Sequence, residues 1–273
     1  HNTAGLTNAQ LVAFVNLFKW KKPTITRISA TQIDIEANTG TANQTMIVFP
    51  DGDVRTVTED TSSTNKYRRF DITATANFTS GTEDSGLYAG LSEENNKWYR
   101  LYAVKSQIDS TKFVLVANKL APTVANVATL NSNFGTNSWV FIRTFPNGDG
   151  NSAPADIPKF YCTGNYTVFS NPSTLIDNCY GIRLANATAG SASLTYTYTA
   201  GETISSGHLP EAVTIGDIGL NVAGTGSNNL QVQDTAATFC YALIPTSSVS
   251  TFEVIKGVAL VNGFKFSMDL GST

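Results

Sequence analysis

Two histidines, three cysteines and a few paired carboxylates are what this chain offers for covalent or acid–base chemistry. His1 is the first residue, so imidazole catalysis would rest on His208 alone. His208 lies in the loop-like segment SSGHLPEA, where a surface or interface role is expected. Carboxylates pair at Glu93-Glu94 and at Asp51 with Asp53. Glycoside cleavage would need two such groups at a set distance in space, which spacing along the chain does not supply. Glu93 and Glu94 fall in a polar loop, where simple solvation is the plainer reading. No G-x-x-x-x-G-K-[ST] loop, H-E-x-x-H or C-x-x-C pair occurs. The residues therefore predict no catalytic set, no cofactor and no metal centre, and the protein is read as a non-enzyme.

Two segments test the metal reading further. Phe49-Pro50-Asp51-Gly52-Asp53 is nearly repeated as Phe145-Pro146-Asn147-Gly148-Asp149. Clustered oxygens suit Ca²⁺, but neither segment completes a twelve-residue EF-hand loop or supplies a distal Glu. Proline and glycine favour tight turns or hairpin ends at both places. Cys162, Cys179 and Cys240 are too few for a disulfide scaffold. Buried free thiols are expected, with a Cys162–Cys179 bridge as the alternative. Sequons at Asn43, Asn77, Asn165 and Asn186 are the chance yield of an Asn- and Thr-rich chain. Tyr88, Trp98 and Trp139 would stack on sugar rings if solvent-facing, although Trp98 and Trp139 sit in apolar strands that favour a core position.

The elements that must position these residues are mostly strands. Charged residues make up only 14% of the 273 positions, well below the usual quarter or so. The net charge of -3 provides no basic field for nucleic acid. No apolar run reaches the roughly 18 to 20 residues of a membrane helix, and the start lacks the sections of a signal peptide. No nucleic-acid or membrane partner is expected.

Residues 96–120 organise the chain. Trp98, Tyr102 and Val104 alternate with Tyr99, Leu101 and Ala103, so both faces of one strand are apolar. Phe113, Leu115 and Ala117 alternate with Val114 and Val116 in the second arm, and Ser106, Asp109 and Ser110 supply the turn. Such a hairpin belongs at the centre of a two-layer β domain. Its core residues are Trp98, Tyr99, Tyr102, Phe113 and Leu115.

Residues 6–18 predict the one helix. Thr7 and Gln10 fit a capping box, and Leu6 can staple onto Leu11. Leu11, Phe14, Val15 and Phe18 then form one apolar stripe, to be buried on its own domain or on a neighbouring subunit or assembly. Strands are predicted at residues 25–28, 31–35, 45–49, 54–57, 69–76 and 138–145, with a hairpin at 160–169 bending at Gly164-Asn165. Residues 83–96 read as an exposed loop. Beyond a boundary at Asn171-Pro172-Ser173, strands are predicted at 194–200, 237–244 and 252–266, with a Gly-rich loop at 221–229. The expected fold is all-β: an N-terminal helix and attachment arm (1–22), a first antiparallel β-sandwich (23–172) and a second sandwich or jelly roll (173–273).

Several of these segments together carry a family likeness. Ile72-Thr73-Ala74, Asp84-Ser85-Gly86-Leu87-Tyr88-Ala89-Gly90, Trp98-Tyr99-Arg100-Leu101-Tyr102 and the 113–117 strand before Ala121-Pro122 resemble a β domain of tailed-bacteriophage virion proteins. These include head-fibre, capsid-decoration and tail-fibre components. Residues 139–145, the turn at 147–149 and residues 160–169 are similar to that domain's later part, and Leu209-Pro210-Glu211-Ala212 to the opening of the β domain that often follows. The likeness covers roughly residues 25–270, and the chain departs from it in lacking an Arg-Leu-Gly strand beside the later turn. It implies a virion structural protein, commonly homotrimeric, bound to other capsid or tail proteins, with no catalytic residues to carry over. Residues 1–22 would be the attachment element. A carbohydrate-binding adhesin recognising a host-surface glycan is the alternative.

Overall fold

Short β-branched runs punctuated by turn residues form strands throughout the computed structural model. It describes residues 23–39, 44–58, 68–148, 156–158, 160–163 and 166–169, and strands between residues 193 and 269. The helix expected at residues 6–18, with Leu6, Leu11, Phe14, Val15 and Phe18, and the boundary expected at 171–173 lie outside the described residues. Contacts divide the chain into two units, residues 1–148 with 154–169, and residues 149–153 with 170–273.

The first unit contains β1 (Ile25–Arg27), β2 (Gln32–Ile35), β3 (Gln44–Val48), β4 (Val54–Thr58), β5 (Arg69–Asp71), β6 (Gly86–Leu87), β7 (Lys97–Lys105), β8 (Phe113–Asn118), helix α1 (Val127–Phe134), β9 (Trp139–Asn147), β10 (Phe160–Thr163) and β11 (Tyr166–Phe169). Among the described residues these strands form four sheets, with orders β1-β2-β5, β3-β4, β6-β8-β7-β9 and β10-β11. All pairings are antiparallel except the short β6–β8 contact.

The four-stranded sheet is the centre, and alternation along β7 and β8 decides what covers each face. Tyr99, Leu101, Ala103, Phe113, Leu115 and Ala117 join Ile25, Ile33, Ile47 and Phe70 in one buried cluster. Tyr102, Val104, Val114 and Val116 join Phe78, Leu130 and Phe134 in another. Thus small β elements cover one face and α1 covers the other. This double coverage buries β7 along all but its two end residues and β8 along its whole length, and such apolar burial stabilises at about 25 cal/mol per Å².

The β7–β8 turn is held by its polar side chains. Ser106 Oγ accepts from the N–H groups of Ile108 (3.0 Å) and Asp109 (2.8 Å), and Asp109 Oδ1 accepts from the Thr111 N–H at 2.9 Å. Gly86 is required for a different reason, since a Cβ there would stand 2.4 Å from the Ala74 carbonyl oxygen.

Helix α1 was not expected. Only Leu130 and Phe134 of its residues are buried, a pair too narrow to register as an amphipathic stripe. Phe134 compensates by meeting Tyr88, Tyr102 and Phe78 at centroid distances of 5.5, 5.4 and 6.3 Å. The Gly135 N–H bonds back to the Asn131 carbonyl, and Gly135 ends the helix at φ +90.

Several boundaries differ from expectation. The strand expected over 69–76 stops at Asp71, whose Oδ1 accepts from the Thr73 N–H and turns the chain. The loop expected over 83–96 contains β6, which pairs with β8. In the second Phe-Pro-x-Gly-Asp copy β9 runs past the expected end at residue 145 to Asn147, opposite Lys97, so of the two alternatives the strand-end one applies there. Pro146 is tolerated because β9 is an edge strand, and Gly148 at φ +96 ends it. Ile142 is an extra residue between Phe141, opposite Tyr102, and Arg143, opposite Leu101. A bulge and a proline are features that disfavour the addition of a further strand at a sheet edge.

In the second unit, β12 (Ser193–Tyr198), β13 (His208–Leu209), β14 (Ile215–Val222), β15 (Asn229–Asp234), β16 (Cys240–Pro245), β17 (Thr251–Ala259) and β18 (Phe264–Asp269) are all strands. They form a five-stranded sheet, β13-β12-β18-β15-β16, and a two-stranded sheet, β14-β17. The single strand expected over 252–266 is therefore two, because β17 pairs with β14 while β18 lies between β12 and β15. Among the described residues the protein is mostly antiparallel β with one helix, and no helix is long and apolar enough to cross a membrane.

Candidate functional site

Among the described residues, one grouping of ionisable side chains lies where the β3–β4 turn meets the end of β7. Gly52 at φ +85 and its N–H bond to the Phe49 carbonyl form the tight turn, which projects Asp51 and Asp53. Lys105 Nζ stands 2.6 Å from Asp51 Oδ2 and 3.1 Å from Asp53 Oδ2. Arg55 Nε donates to Asp53 Oδ2 at 2.9 Å, and its Nη1 reaches the carbonyls of Ser106 (2.6 Å) and Lys112 (2.9 Å). The Phe49 ring lies 5.1 Å from Lys105 Nζ, within cation–π range.

This arrangement opposes both chemical readings of the turn. Burial pushes Asp51 upward, but the Lys105 hydrogen bond, the Asp53 backbone and the Lys105 charge outweigh it and hold the carboxyl below its usual range. Asp53 is likewise lowered: burial raises it, and bonds to Arg55 and Lys105 with their charges overcome that. A glycosidic acid must have its pKa raised, and here both carboxylates are lowered. Nor do they form a bare oxygen cage for Ca²⁺, because a lysine ammonium stands between them.

Glu93 and Glu94 meet different partners. Glu94 bonds Lys119 and lies 3.9 Å from Lys97. The Lys119 hydrogen bond, opposed by burial and supported by the charges of Lys119 and Lys97, lowers its pKa. Buried Asn147 on β9 donates to Glu93 Oε1 (3.1 Å) and to the Glu94 carbonyl (3.0 Å). The pair therefore ties the loop before β7 to the β9 end. Among the described residues no three His, Cys, Asp or Glu side chains are grouped to hold a metal ion.

The sequence-predicted aromatics separate by exposure. Trp98 is 5% exposed, and Tyr99, Tyr102, Phe113 and Leu115 are fully buried. Trp98 therefore offers no sugar-stacking face. Tyr88 and Trp139 are half-buried. Trp139 packs against Tyr102 at 5.6 Å, and its Nε1–H donates to Asn131 Oδ1 at 2.9 Å. No charged residue occurs from Leu120 to Ile142, so its chain neighbourhood is neutral.

Arg100 was missed by sequence reasoning. It shares the Trp98 and Tyr102 face, is fully buried, and donates through Nη1 to the Lys119 carbonyl at 2.8 Å. Its place in the period-two alternation was the available signal. Asn77, in one sequon, is committed to its own loop, donating to the Ser80 and Thr82 carbonyls. The β10–β11 register ends at Thr163 opposite Tyr166, and the bend expected at Gly164-Asn165 lies outside the described residues. Cys162 and Cys240 lie in β10 and β16, whereas Cys179 and the side chain of His208 are outside the described residues.

No known family, curated protein or solved structure matches this chain.

Proposed function

We propose that this protein is a non-enzymatic structural component of a bacteriophage virion, displayed on the capsid or tail as a decoration, head-fibre or tail-fibre protein. In this reading residues 23–172 and 173–273 are two sandwich or jelly-roll domains, the assembly is a homotrimer, and residues 1–22 attach it to other virion proteins. The observation that carries the reading is that several of the segments resembling phage virion domains lie in the buried centre of the first unit: Gly86 and Leu87, residues 98–102 and residues 113–117. They define what the domain is built from. The candidate carboxylates Asp51, Asp53 and Glu94, meanwhile, are occupied by lysine and arginine.

Burying Leu11, Phe14, Val15 and Phe18 would supply about 1.5–3 kcal/mol per fully buried large side chain, before the entropy of association is subtracted. Deleting residues 1–20 is expected to leave a folded body that no longer binds particles. Full retention on particles after the deletion would refute N-terminal attachment.

The glycan-binding alternative retains one favourable observation. Trp139 is half-buried in a charge-free stretch, with its ring orientation fixed by Asn131.

A further inference from the structure

We draw no further inference here: the strongest candidate, the uncharged surface strip running from exposed Val124 along α1 through Val127 and Asn131 to Trp139, carries nothing because nothing in the structure shows what covers it.

Discussion

Lys105, the last residue of β7, places its ammonium 2.6 Å from Asp51 in the turn of a different hairpin. This ion pair, with Arg55 bonded to the Ser106 and Lys112 carbonyls, joins the tips of β3–β4 and β7–β8. The ion pairs of this junction stabilise only while Asp51 and Asp53 are charged, whereas the Arg55 bonds to the two carbonyls do not depend on them.

The sign of the pH dependence follows from the lowered folded-state values of Asp51 and Asp53. Their contribution is present above the unfolded carboxylate value of about 3.9 and is lost as pH falls through the lower folded values. Both carboxylates are more than a third exposed, so solvent screening limits each pair to about 1 kcal/mol or less. Lys105→Met is expected to lower the urea midpoint slightly at pH 7 and to reduce the loss of stability as pH falls below about 4. An unchanged acid-dependent loss would show that the Lys105 ion pairs contribute nothing.

Arg100 presents a larger effect, because it is buried within the central sheet. Arg100→Ala removes the donor to the Lys119 carbonyl and leaves a cavity, for an expected cost of about 2–4 kcal/mol. Arg100→Met retains more volume and removes a buried charge, so it is expected to cost less than Arg100→Ala. Urea unfolding of the two variants measures the difference. Equal stabilities for both variants and the parent chain would contradict a structural role for the guanidinium.

Trp139 separates the adhesin reading from the assembly reading. If the protein binds a neutral host glycan through this residue, a glycan array will show saturable binding that Trp139→Ala abolishes while the fold survives. The assembly account predicts an empty array for both proteins. Trp98→Ala is uninformative here, because removing that buried ring damages the core.

The two-faced hairpin was legible because period-two alternation at residues 98–104 and 113–117 reports burial on each side directly. Its turn was legible because Ser106 and Asp109 satisfy backbone N–H groups locally. Helix α1 was hidden because Phe134 obtains its packing from distant Tyr88, Tyr102 and Phe78. The β9 extension was hidden because Pro146 reads as a turn unless its position on a sheet edge is known. For the candidate site, Asp51 and Asp53 were visible as a pair. Their partner Lys105 is far away in sequence, so the charge that turns a catalytic or metal reading into an ion-pair junction emerged only in three dimensions.

The central claim is membership of a virion, and immunoelectron microscopy of purified source phage with antibody against this chain tests it most directly. The account predicts regularly spaced label on the capsid or tail. Intact particles carrying no label, from lysates in which the protein accumulates free in solution, would contradict it.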